Sequence, residues 1–262
     1  MKQRADQLLV ERGLAGTIEE ARSLLMAGEV WSQERRIDKA GELLDTLMPL
    51  EVRGRRLEFV SRGGEKLKYA LDKYNIPVKG RIAIDVGSST GGFTDCLLKR
   101  GAQHVFAVDV GYGLIDASLR ADSRVSLLEK TNARLLKKSD LLAVSTLADR
   151  INLLVTDVSF ISLRKIIPPL LQIMPSGSSW ILLFKPQFEL ASSKVLAGGI
   201  VKDLEAVQQA LSDFNVWMKN LGFILNGGPE SSPLTGKRSG NVEYLIFYEN
   251  SKFNSSVTFP LH

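Results

Sequence analysis

The sequence has one cysteine, Cys96, and two histidines, His104 and His262. A single thiol excludes an intramolecular disulfide and any cysteine-rich zinc site. Two histidines leave little from which to build a histidine metal centre or a Ser-His-Asp triad, so no metal is expected. No run approaches the roughly 20 apolar residues of a membrane span. The opening MKQRADQLLVERG lacks the apolar core of a secretion signal. These absences point to a cytoplasmic protein with no stable membrane partner. What remains is ordinary for a globular chain: 262 residues, 44% hydrophobic and 24% charged, room for one large core and a small appendage. A net charge of +5 and a pI near 9.3 permit a polyanionic partner without requiring one. Nothing in the composition specifies an oligomer.

Residues 1–60 read as a small α+β unit. Arg4 to Arg12 suits a short helix that Gly13 stops. Thr17-Ile18-Glu19-Glu20 has the form of a capping box, in which the Thr17 hydroxyl accepts from the Glu20 amide and Glu20 reaches back. Ile18, Ala21, Leu24 and Leu25 recur at helical spacing, with Gly28 as the stop and Arg22 off the stripe. Val30-Trp31 and Leu47 to Val52 read as short strands. The run from Arg4 to Gly13, followed by Glu20-Ala21-Arg22-Ser23, resembles an S4 RNA-binding domain. That resemblance implies helices presenting basic side chains to RNA, and it makes Arg4, Arg12 and Arg22 the contact candidates. Acidic and basic residues nearly cancel here, so any RNA face must come from arrangement rather than net charge.

From about residue 64 strands and helices alternate. Arg81 to Val86, His104 to Asp109, Val125 to Leu128, Ile151 to Thr156 and Trp180 to Phe184 have the apolar runs of strands. Between or after them lie helical stretches at Gly92 to Arg100, Ser139 to Ser145, Leu163 to Ile173 and Asp203 to Leu221. Such alternation predicts a parallel, doubly wound α/β sheet. Phe223 to Leu225 and Asn241 to Tyr248 follow without a helix between them, which predicts an antiparallel hairpin at the sheet edge. The tail, residues 251–262, is expected to be loosely held.

Strand, glycine turn and helix follow one another in Ile82-Ala-Ile-Asp85-Val-Gly87-Ser88-Ser-Thr-Gly91-Gly92-Phe93. Glycines at the carboxyl end of such a strand let a ligand lie against the backbone, and the helix start offers free amides. Asp109, about 20 residues on, takes the position that holds ribose hydroxyls. The spacing does not fit a dinucleotide fingerprint. Asp85 suits a cationic ligand better than a pyrophosphate, which favours S-adenosylmethionine.

In WILLFKPQFEL, Trp180 to Leu190, an ammonium at Lys185 follows a buried run, at the carboxyl end of a strand expected next to the one that carries Asp85, and is locked by Pro186. Asp157 ends the preceding strand. Lys66 in Ser61-Arg62-Gly63-Gly64-Glu65-Lys66-Leu67 and Glu243 in Ser239-Gly240-Asn241-Val242-Glu243-Tyr244 supply another charge of each sign. A lysine beside an aspartate can be a structural ion pair or a pair that handles a proton; a lysine accepts a proton only as the free amine.

The order Lys66, Asp157, Lys185, Glu243 resembles the tetrad of FtsJ-like ribose 2′-O-methyltransferases. Together with the S4-like start and the motifs D-V-G-S-S-T-G-G-F-T, T-D-V-S-F and F-K-P-Q-F-E, it resembles the TlyA family of ribosomal-RNA methyltransferases, often named haemolysins, over residues 4–248. The resemblance implies a Rossmann-like S-adenosylmethionine-dependent domain over residues 61–250, ribosomal RNA or ribosomal subunits as partner, and a cytoplasmic setting. It implies that Lys185 accepts the proton of a 2′-hydroxyl, that Asp157 and Lys66 position it and tune its pKa, and that Glu243 holds the second lysine or the hydroxyl. Asp85, Gly87, Ser88, Gly91, Phe93 and Asp109 would hold the cofactor, with Asn132 near adenine. The linker reads Leu57-Glu58-Phe59-Val60 where some relatives carry Arg-x-Trp-Val. A base N-methyltransferase would carry an Asn/Asp-Pro-Pro-aromatic motif where this chain has Thr156-Asp157-Val158-Ser159-Phe160. A non-catalytic RNA-binding ribosome factor and a membrane-acting haemolysin stay open as alternatives.

Overall fold

The computed structural model describes residues 2–26, 28–53, 58–235 and 240–251. The tail from 252 to 262, Leu57 of the linker and Ser239 of the last motif lie outside the described residues. The chain forms two compact units, Met1–Arg56 and Leu57–His262.

The first unit runs β1 (Lys2–Arg4), α1 (Ala5–Glu11), α2 (Ile18–Met26), β2 (Val30–Ser32), β3 (Arg35–Arg36), β4 (Leu43–Asp45) and β5 (Glu51–Val52). β1 pairs with β4, and β2 lies between β3 and β5, all antiparallel. Leu8, Leu9, Ala21, Leu25, Val30 and Ile37 close a small core. The Glu20 amide donates to the Thr17 hydroxyl at 3.1 Å. The Glu20 carboxylate accepts from the Gly16 amide at 2.6 Å, one residue earlier than a capping box requires. Residues 46–50 are not the expected strand. The Asp45 carboxylate takes the Leu47 amide into a turn, and Pro49 has no amide to give to a ladder.

The second unit runs α3 (Gly63–Lys73), β6 (Ile82–Val86), α4 (Gly92–Lys99), β7 (His104–Val108), α5 (Ala117–Arg120), β8 (Val125–Leu128), α6 (Lys138–Leu142), β9 (Leu153–Thr156), α7 (Leu163–Leu171), β10 (Ser179–Phe184), α8 (Pro186–Glu189), α9 (Leu204–Asn220), β11 (Phe223–Ser231) and β12 (Tyr244–Asn250). Its strand order is β11-β12-β10-β9-β6-β7-β8. The central strands are parallel, β12 is antiparallel to β10, and β11 is antiparallel to β12. Chain order therefore reverses between β6 and β9, the switch point at whose carboxyl end open α/β sheets hold ligands.

Alternation divides the sheet's apolar side chains between two layers. Ile84, Phe106, Leu154, Leu182 and Phe184 pack with Ile167, Leu170, Leu211 and Phe214 of α7 and α9. Ala83, Val105, Val155, Ile181 and Leu183 pack with Leu67, Leu71, Phe93 and Leu97 of α3 and α4.

Three placements differ from the sequence reading. Lys66 sits on a full helix rather than in a lead-in to the sheet. Lys185 does not end a strand next to β6, because β9 lies between β6 and β10. The last strand starts at Tyr244, so Asn241 and Glu243 precede it, and β11 extends through the Gly227-Gly228-Pro229 stretch read as a loop. Its register shifts around Gly227, where the Tyr74 ring lies so close that a Cβ would collide with it.

Candidate active site

Strand alternation decides which face each charged residue takes. Ala83, Val155, Leu183 and Leu245 all face α3 and α4. Two-residue steps from them assign Asp85, Asp157, Lys185 and Glu243 to that same face. α3 contributes Lys66 to it from its first turns. The β10–β12 pairing ends at Phe184 opposite Tyr244, so one further step sets Lys185 against Glu243. Pro186 matters here because it restricts the residue before it to extended backbone. Lys185 has φ −116° and ψ 105°, and the strand's alternation thus persists to the ammonium.

The four groups form two ion pairs. Lys185 Nζ lies 2.6 Å from Asp157 Oδ1 and donates to Ser159 Oγ at 2.9 Å. The Asp157 contact lacks hydrogen-bond alignment, so Ser159 supplies the directional bond. Lys66 Nζ lies 2.5 Å from Glu243 Oε2. Side-chain exposure is 9% for Lys185, 22% for Asp157, 11% for Lys66 and 4% for Glu243. Lys66, Asp157, Lys185, Ser61, Arg62 and Ser159 line one cavity of about 220 Å³. Glu243 is not on its wall and reaches it through Lys66.

A larger cleft of about 800 Å³ shares Gly87, Ser89, Asp157 and Ser159 with that cavity. Its size falls in the range of about 300–1,000 Å³ usual for cofactor sites. Gly87 has φ +85°, and a Cβ there would lie 2.8 Å from the Asp157 carbonyl oxygen, so only glycine lets β6 turn this close to β9. Asp109 accepts from the Ser89 amide and the Gly111 amide, both at 2.7 Å. Two amides leave a carboxylate with further lone pairs, here on the cleft wall and available to a diol. Asn132 also lines the cleft, and its side-chain oxygen accepts from the Arg134 amide at 3.1 Å. An acid held by amides, a glycine cradle and a cleft of this volume fit an adenosine-bearing donor such as S-adenosylmethionine.

The remaining cofactor candidates divide. Ser88 and Phe93 line the smaller cavity, whereas Asp85 and Gly91 line neither. Asp85 is fully buried and accepts from the Thr94 hydroxyl at 2.7 Å; its other oxygen has no partner. Burial pushes its carboxyl up to about 7, against the Thr94 bond. Gly91 has φ +95°, and a Cβ there would collide with Leu119.

In the first unit, Arg4 and Arg22 both reach the buried Asp6, at 2.8 and 3.1 Å, and remain half exposed. The Arg4 hydrogen bond holds the Asp6 carboxyl down, to about 2. Arg12 instead donates to the carbonyls of Met48, at 2.6 Å, and Thr46.

Sequence reasoning missed Ser159, although T-D-V-S-F contains it. It also missed the ring pair of Phe160 and Phe188, 5.4 Å apart on the cleft wall. Phe160 is 84% exposed at φ +65°, an uncommon conformation for a bulky side chain. The aromatic in each of the motifs T-D-V-S-F and F-K-P-Q-F-E was the available signal.

Residues 59–250 match the FtsJ-like methyltransferase family. The chain is 45% identical over 245 residues to a Bacillus subtilis protein designated an rRNA methyltransferase, YqxC, covering 94% of this chain and 85% of that one. It is 40% identical over 250 residues to the 16S/23S rRNA (cytidine-2′-O)-methyltransferase TlyA of Mycobacterium tuberculosis, covering 93% and 88%. A solved structure of a haemolysin-designated protein from Streptococcus thermophilus matches with TM-score 0.73 and 38% identity, covering 96% and 90%.

Proposed function

The chain belongs to the FtsJ-like methyltransferases and, within them, to the TlyA family, and on that premise we propose that it methylates a ribose 2′-hydroxyl of ribosomal RNA. It is a methyltransferase, and its methyl donor is S-adenosylmethionine. When bound, the donor supplies an electrophilic methyl group on a sulfonium. The chain's own residues have the other half of the work, which is to make an alcohol oxygen nucleophilic.

Lys185, as the free amine, takes the 2′-hydroxyl proton onto Nζ. Ser159 fixes the direction of that nitrogen, and Asp157 stabilises the ammonium that results. Such proton removal contributes about 10²–10⁴ in rate. Lys66, neutralised by Glu243, closes the far wall of the same cavity and aligns the acceptor ribose; alignment can contribute more than the proton transfer. Asp109 and Asn132 hold the nucleoside part of the donor, Gly87 lies on the wall that the two cavities share, and Ser88 lies in the smaller one. The first unit serves as an S4-like RNA-binding unit through Arg4 and Arg22, with Arg12 given mainly to holding its own turn.

The observation that carries this reading is the Lys185 contact to Asp157 and Ser159, both on the wall common to the two cavities. The test is transfer of radiolabelled methyl from S-adenosylmethionine to ribosomal subunits lacking the modification, with Lys185→Ala in parallel. Label that blocks alkaline cleavage at one or two nucleotides is expected with the wild type and not with the variant. Donor binding without transfer would favour a non-catalytic RNA-binding role. As for the haemolysin designation, no helix among the described residues is long and apolar enough to cross a membrane, and no dye release from liposomes is expected.

A further inference from the structure

One half-buried carboxylate of the second unit has no part in the chemistry above. Glu189 ends α8, and its side chain reaches back to the start of α7. One oxygen accepts from the Ser162 hydroxyl and the other from the Leu163 amide, both at 2.7 Å. Ser162 is itself the N-cap of α7, accepting from the Arg164 amide at 3.1 Å. A carboxylate at a helix start has an ordinary explanation, as satisfaction of free amides. What this one joins makes it more than that.

Strand pairing stops short of the two groups that matter. The β9–β10 ladder ends at Thr156 opposite Leu182. Asp157 and Lys185 both lie beyond it, on segments that the ladder no longer holds in register. Those segments are fastened instead at three successive points. Lys185 reaches Asp157 and Ser159. Phe188 touches Phe160. Glu189 closes on Ser162 and Leu163. The first point is the reacting group, and the second is a ring contact with an exposed partner. The third is polar and consists of two hydrogen bonds made outside the reacting group, which gives it a defined direction.

We propose that Glu189 is a positioning residue for methyl transfer: it fastens α8 to the 157–163 segment and so sets where Lys185 Nζ lies against Asp157 and Ser159. Its consequence for rate rests on the 2′-O-methylation reading; its consequence for the Lys185 contact does not. A displacement of about 1 Å at a reacting group costs on the order of 10²-fold in rate.

Glu189→Ala and Glu189→Gln separate positioning from general packing. Glutamine keeps an oxygen for the Leu163 amide and can donate its own amide to the Ser162 hydroxyl. Single-turnover methyl transfer to unmodified subunits is expected to fall about 10- to 100-fold in the alanine variant and to recover to within about threefold of wild type in the glutamine variant. S-adenosylmethionine affinity should stay within about twofold of wild type in both. The direct readout is nitrogen-15 NMR of the lysine ammonium groups at one fixed pH, with the Lys185 signal assigned by its loss in Lys185→Ala. Lys185 faces Asp157 across the pair and shares its cavity wall with Lys66 and Arg62, so a shifted position changes the chemical shift of its ammonium. A displaced signal in Glu189→Ala, restored in Glu189→Gln, supports the proposal. An unmoved signal in Glu189→Ala overturns it whatever the activity. A displaced signal with no transfer even by wild type would leave the positioning intact and count against the 2′-O-methylation reading instead.

Discussion

Lys66 and Glu243 meet at 2.5 Å across 177 residues of chain. Both are almost wholly withdrawn from water, so the pair is worth most when one member is missing. Glu243→Leu would leave a buried ammonium without its counter-charge and should destabilise the second unit by about 3–5 kcal/mol. Adding Lys66→Met should recover most of that loss while leaving the protein inactive. Urea unfolding of wild type, Glu243→Leu, Lys66→Met and the double variant measures both effects; additive losses would mean that the two side chains do not act as a pair.

Lys185→Arg separates charge from proton acceptance. A guanidinium keeps the positive charge but does not give up its proton. The variant should lose about 10²- to 10⁴-fold in methyl transfer, as Lys185→Ala does, with donor affinity near that of wild type. Steady-state kinetics and calorimetric binding of S-adenosylmethionine distinguish this from a collapsed site. An active arginine variant would assign Lys185 an electrostatic role only.

Gly87→Ala should be far more damaging than Gly80→Ala. Both glycines have positive φ, +85° and +75°, so both substitutions carry about 1–3 kcal/mol of backbone strain. A Cβ at Gly80 meets nothing within 4 Å, whereas one at Gly87 meets the Asp157 carbonyl oxygen at 2.8 Å. The difference between the variants therefore isolates the close approach of β6 and β9. About tenfold or greater loss of donor affinity is expected for Gly87→Ala alone, since 1.4 kcal/mol is a factor of ten.

Asp85 gives stability a slope with pH. Its native carboxyl, pushed up to about 7 by burial, lies above the unfolded value of about 3.9. The native state therefore binds the proton more tightly. Stability should fall as pH rises from about 4 to about 7 and level off above that. Asp85→Asn should remove this part of the slope. Urea midpoints for both proteins over that range provide the comparison, and parallel curves would show that Asp85 is not the source.

The arginines of the first unit should not behave alike. Arg12→Ala breaks bonds to the Met48 and Thr46 carbonyls and should lower the melting temperature of that unit by about 4–8 °C, with a modest effect on RNA affinity. Arg22→Ala leaves Asp6 its shorter contact, to Arg4, and should instead reduce the salt dependence of rRNA binding by about one unit of slope. Binding isotherms at several salt concentrations test this.

Much of the second unit was legible because its strands are buried on both faces. Runs such as Ile181 to Phe184 announce themselves, and the acids and lysine that end them stand out against the apolar background. α3 was hidden for the opposite reason: Gly63-Gly64 opens it, although Leu67, Ala70 and Leu71 already had helical spacing. Strand order was not legible. Local patterns say where a strand is, not which strand lies beside it, and so β9 was not placed between β6 and β10. The residue types of the site were readable from Lys66, Asp157, Lys185 and Glu243, and the pairing of Lys185 with Asp157 was read from them, whereas for Glu243 the choice between the second lysine and the hydroxyl stayed open until the structure set it on Lys66. Ser159 and Glu189 escaped notice because a hydroxyl or a carboxylate reads alike in a sequence whether it is solvated or bonded to a distant segment. The sharing of Asp6 by Arg4 and Arg22 needed the contact between α1 and α2, which no local pattern supplies.

Among the described residues, β12, which follows it in the chain, is the one strand that β11 pairs with. During synthesis β11 emerges first and has no edge to join until β12 has paired with β10. Glu243 emerges immediately before β12, so the counter-charge of Lys66 arrives with the strand that completes the sheet. A nascent chain interrupted before residue 243 lacks β12, leaves any β11 it contains without the strand it pairs with, and is missing half of an ion pair. Loss of the sheet's edge and loss of the Lys66 counter-charge therefore coincide in every such product.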